Sequence, residues 1–66
     1  MPEYRLYRLD PDTGHVIGAD EMHAPDDVSA VYEAQHRGYD IPVELWQGGR
    51  KVSQIEPMPQ AAAFAR

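Results

Sequence analysis

The residues with chemistry to offer are three histidines, two adjacent acidic pairs, two serines and a Gly-Gly dipeptide. His15, His23 and His36 share no His-x-x-x-His spacing and have no cysteine beside them. A metal site needs several ligands at compatible spacing, so each histidine reads instead as a turn-end, strand-end or helix-end residue. Asp10-Pro11-Asp12-Thr13-Gly14 has the Asp-x-Asp-x-Gly opening of a calcium loop. It lacks both the third ligand before the glycine and the later bidentate glutamate, and ordinary turn chemistry accounts for it. Asp20/Glu21 and Asp26/Asp27 are candidate acid–base carboxylates. Such work needs a pocket that tunes their pKa, and two carboxylates ahead of a helix complement its positive end. Ser29 and Ser53 sit in no nucleophile elbow, and Gly48-Gly49 lacks the Gly-Lys-Ser/Thr of a phosphate loop. The expectation is a protein without catalytic residues, metal or cofactor.

The bulk properties narrow what remains. Sixty-six residues without cysteine allow one small core and no disulfide. A core of that size supplies about 3–5 kcal/mol, so self-association or a partner is the natural supplement. Absence of cysteine and of an apolar leader suits a cytoplasmic protein, and no run approaches the length of a membrane span. Eleven acidic against six basic residues give a formal net charge of −5, which discourages non-specific nucleic-acid binding.

Five elements must position these residues. Tyr4–Leu9 is strand-like, and the Pro/Asp/Gly turn after it leads to a return strand from His15 to His23. A helix is expected from Asp26 or Asp27 to Arg37, with acidic residues at its start and Gly38 as its stop. Val28, Ala30, Val31, Ala34 and Tyr32 are its candidate apolar stripe. Val43–Ile55, VELWQGGRKVSQI, is a second hairpin around Gly48-Gly49. The fold class that follows is α+β, β-β-α-β-β, one four-stranded sheet of two hairpins with a single helix on one face. Two strand orders remain open. The domain is expected over residues 1–56, with 57–66 as a flexible Pro/Ala-rich tail.

Uninterrupted pairing outward from each turn sets Leu9 opposite Val16, Tyr7 opposite Gly18, Arg5 opposite Asp20, Trp46 opposite Lys51 and Leu45 opposite Val52. One face then gathers Leu6, Ile17, Ala19, Val43, Leu45 and Val52 for the helix. The other gathers Arg5, Tyr7, Leu9, Val16, Trp46, Lys51 and Ile55, beside Glu44. One helix cannot cover both faces, and an aromatic, aliphatic face with arginine is typical of association sites. The expected role is therefore non-catalytic protein contact, as a homodimer or adaptor. The alternative is single-stranded nucleic-acid binding, with bases stacked on Tyr7 and Trp46 between Arg5, Arg50 and Lys51.

Tyr4–Asp10 (YRLYRLD), the Asp/Gly turn, the Ala-Pro-Asp-Asp helix start and Glu44–Val52 (ELWQGGRKV) together resemble a group of short, mostly alphaproteobacterial proteins. The resemblance spans residues 2 to about 55 and is most specific at Glu44–Val52; in the first strand, Arg8 stands where such proteins favour an apolar residue. It implies a small stand-alone cytoplasmic protein and brings no established activity, cofactor or catalytic residue.

Overall fold

The structure, a computed structural model, describes residues 1–57. Strands β1 (Glu3–Leu9) and β2 (Val16–His23) form the first hairpin, helix α1 (Asp27–His36) follows, and β3 (Val43–Gln47) and β4 (Arg50–Ile55) form the second. All pairings are antiparallel, in the order β2-β1-β3-β4. The β-β-α-β-β fold expected from the sequence is the fold present. β2 and β3 are both antiparallel to β1 and so run the same way, as a helical crossover between them requires. The expected tail, save its first residue, lies outside the described residues.

Local chemistry explains each boundary. Asp10 Oδ1 accepts the Asp12 N–H at 2.8 Å, Asp10 O accepts the Gly14 N–H at 2.7 Å, and Gly14 turns the chain at φ 79°. Asp26 caps α1 by accepting the Ser29 N–H at 2.8 Å, and Gly38 stops it at φ 78°. In the second turn Gly48 alone of the glycine pair takes positive φ, at 60°.

The core lies between the sheet and α1. Tyr4, Leu6, Met22, Val43, Leu45 and Ile55 from the strands meet Ala24, Ala30 and Ala34, with Val31, Tyr39 and Val52 packed at the margin. The small alanines let the helix sit close to the sheet. The expected stripe is narrower than drawn: Val28 and Tyr32 are 80% and 63% exposed. Val28 lies at an open margin beside Val52 and Ser53 of β4, and Tyr32 instead stacks on His36 at 4.0 Å.

Two bulges redraw the expected registers. Leu9 faces Val16 as expected, but Arg8 then faces Gly18, so β2 carries one extra residue at Ile17. Beyond it Tyr7 faces Ala19, Leu6 faces Asp20 and Arg5 faces Glu21. The expected Tyr7–Gly18 cover and Arg5–Asp20 ion pair are therefore absent. Arg8 covers the glycine instead, where an added Cβ would collide with its guanidinium. In β4, Gln47–Arg50 and Trp46–Lys51 pair as expected, then Val52 is the extra residue and Leu45 faces Ser53. Ile55 thereby comes opposite Val43 and enters the core at 6% exposure, a correction to its expected place on the outer face. Ile17 and Ala19 move the other way and are exposed rather than packed under the helix.

Candidate functional site

The face of the sheet away from α1, the open face, is built by alternation from the two central strands. Tyr4 and Leu6 point to the helix, so Arg5, Tyr7 and Leu9 point away; Val43 and Leu45 point to the helix, so Glu44 and Trp46 point away. Arg5 lies directly opposite Trp46, and Tyr7 opposite Glu44. Each aromatic thus has its counterpart on the diagonal. The Tyr7 and Trp46 rings meet edge-to-face, with centroids 6.2 Å apart and planes at 82°, a favoured aromatic geometry. Both side chains are half-buried although, among the described residues, no helix covers them.

Polar groups frame this pair. Trp46 Nε1 donates to Glu44 Oε1 at 3.1 Å, and Lys51 Nζ donates to Glu44 Oε2 at 3.4 Å and to Gln54 at 3.2 Å. Arg5 bonds Glu21 at 3.2 Å across to β2. Leu9, 8% exposed, stands outside the helix-side core, and Val16 opposite it is 56% exposed. The structure thus brings Arg5, Tyr7, Leu9, Val16, Trp46 and Lys51 to the open face; Ile55 is on the other side.

The acid–base candidates have structural partners. Asp20 and Glu21 point to opposite faces: Asp20 accepts the Tyr39 hydroxyl at 2.6 Å and lies 3.5 Å from Arg8 Nε. Burial, then that hydrogen bond, pushes the Tyr39 phenol up, against the lowering influence of Arg37. Asp27 accepts the Tyr4 hydroxyl at 2.8 Å and is gripped by both Arg50 amines at 3.0 Å. The Arg50 guanidinium, then the Tyr4 hydroxyl, hold the Asp27 carboxyl below the usual range. This clasp ties the start of α1 to the β3–β4 turn. The sequence carried no signal for it, because Asp27 and Arg50 are 23 residues apart.

Among the described residues every lysine and arginine lies within 4.0 Å of a carboxylate: Arg5–Glu21, Arg8–Asp20, Arg37–Glu33, Arg50–Asp27 and Lys51–Glu44. Arg50, expected from the sequence among the stacking-platform cations, belongs to the clasp. Among the same residues no three His, Cys, Asp or Glu side chains converge as metal ligands. A groove of about 760 Å³ between the end of α1 and the end of β4 is floored by Ala34, Tyr39, Ile41 and Ile55, with Asp40 and Glu56 in its lining. It opens on the helix side and is separate from the aromatic pair. No described helix is long and apolar enough to cross a membrane. Comparison with known proteins finds no matching family model, curated protein or solved structure.

Proposed function

We propose that this chain is a non-catalytic, cytoplasmic contact domain that works through the open face of its sheet, as a homodimer or as an adaptor for another protein. The observation that carries this reading is the Tyr7–Trp46 edge pair, half-buried at the centre of a sheet face that no described helix covers. Trp, Tyr and Arg dominate binding hot spots, and Arg5 lies directly beside the pair. Comparing the wild type with Trp46→Ala and Tyr7→Ala in sedimentation and in pull-downs from native lysate tests the reading. A hot-spot truncation of about 2 kcal/mol weakens association roughly thirtyfold. Lost association with an unchanged circular dichroism spectrum is the expected result; identical association by all three proteins would overturn it.

The alternative is single-stranded nucleic-acid binding on the same face. Stacking aromatics support it, but affinity for a phosphate backbone comes from cations free to replace counterions. Arg5 and Lys51 are each engaged by a glutamate of the same face. Protein contact is therefore the favoured reading. Retention of mixed single-stranded RNA or DNA that falls steeply with salt would reverse that preference.

A further inference from the structure

We infer that the occupant of the open face is a second copy of this chain, related by a two-fold axis along the Tyr7–Trp46 diagonal, so that Arg5 of each copy meets Glu44 of the other. This rests on the contact reading above and adds to it a partner and a geometry.

The four central residues form a checkerboard. Arg5 faces Trp46 and Tyr7 faces Glu44 across β1 and β3, so one diagonal is aromatic and the other joins a cation to an anion. Two identical faces that stack about a two-fold axis in their common plane obey a simple rule. Residues on the axis meet their own copies, and residues on either side of it exchange. An axis along the aromatic diagonal stacks Tyr7 on Tyr7 and Trp46 on Trp46, and it sets Arg5 over Glu44 twice. An axis along the charged diagonal sets Arg5 on Arg5 and Glu44 on Glu44. Axes along or across the strands set each charge against an aromatic ring. Only the first arrangement satisfies every member of the checkerboard.

Its dimensions are those of known sheet packings. Strands about 4.8 Å apart and paired positions about 6.8 Å apart along a strand put the diagonal about 35° from the strand direction. The two sheets then cross at about 70°, close to the orthogonal class. Charge favours the same partner. The chain carries −5, yet at the centre of this face Arg5 and Lys51 balance Glu21 and Glu44, with the exposed Glu3 at its margin, so two acidic molecules meet across a charge-balanced centre. The sheet edges are poor substitutes, because β2 and β4 each carry a bulge, a device that disfavours edge-to-edge pairing.

A charge-exchange cycle followed by sedimentation velocity at high micromolar concentration tests this. Wild type is expected as a dimer. Arg5→Glu leaves two anions on the diagonal and Glu44→Arg leaves two cations, so each is expected as a monomer, its dimer weakened at least about a hundredfold. Mixing the two variants restores a heterodimer, and the double variant R5E/E44R restores a homodimer. Circular dichroism of each single variant, and the rescue itself, separate lost contact from lost folding. A monomeric wild type, dimeric single variants, or no rescue would overturn the inference. Trp46→Ala keeps the two claims apart. If it abolishes dimerisation or capture of another protein while the exchange cycle fails, the inference falls and the contact reading stands; if it changes no association, both fall.

Discussion

Asp27 shows how one side chain can organise a small fold. It follows the N-cap, adds negative charge at the positive end of α1, and accepts from both Tyr4 and Arg50. The part of this legible in the sequence was local: Pro25-Asp26-Asp27 marked a helix start. The Arg50 partnership depends on where the second hairpin docks, and no pattern of neighbours announces it. The pH consequences follow from the shifts. The Asp27 and Asp26 carboxyls are held low, Asp27 by Arg50 and then Tyr4, Asp26 by the Ser29 backbone N–H. A folded-state pKa below its unfolded value gives stability that is present above the ordinary carboxylate range and lost as pH falls through the depressed value. Asp27→Asn should therefore lower the thermal midpoint at neutral pH and flatten its decline in acid. Tyr4, raised chiefly by its bond to Asp27, and Tyr39, raised chiefly by burial, act at the other end. Their contribution is complete below the ordinary phenol range and is lost as pH rises through the raised values. Thermal unfolding of wild type and Asp27→Asn across pH checks both limbs.

Among the elements, the two hairpins show what alternation reveals and where it stops. Each register was legible next to its turn, at Leu9–Val16, Gln47–Arg50 and Trp46–Lys51. It failed at Ile17 and Val52, where a single extra residue reverses inside and outside for the rest of the strand. Apolar bulge residues look like ordinary strand residues, so composition does not reveal them. This is why Ile55 was expected on the interface and is found opposite Val43 in the core. The correction makes a prediction: Ile55→Ala costs about 2–5 kcal/mol of stability, whereas Trp46→Ala weakens association at smaller cost to folding. Leu45, fully buried, is a stricter case. Removing its side chain, with no exposed part to soften the loss, costs toward the upper end of that range, about 4–5 kcal/mol, against a total reserve of about 3–5 kcal/mol for a domain of this size, so Leu45→Ala should be largely unfolded at 25 °C. Denaturant titration of the three variants separates these outcomes.

Among the described residues the molecule is a single helix on one side of a four-stranded sheet. The switch between strand and helix periods made that class legible, as did the two Gly-marked turns. The strand order was not, because it depends on which hairpin edges meet in the finished sheet. That order matters for function. By placing β1 beside β3 it brings Arg5 and Tyr7 next to Trp46 and Glu44, and so assembles the patch from residues nearly forty positions apart. The helix side is filled by small alanines and a few large aliphatics, and the bulged edges discourage sheet extension. The open face carries a packed pair of aromatic anchors at the centre of the sheet. Because Trp46 is the only tryptophan, its emission reports directly on that face. The most direct measurement follows Trp46 emission and sedimentation mass together as wild-type concentration rises from low to high micromolar. A blue shift in step with a doubling of mass, absent in Arg5→Glu, is the result predicted. Constant emission with a monomer mass throughout would contradict association of this face with a second copy.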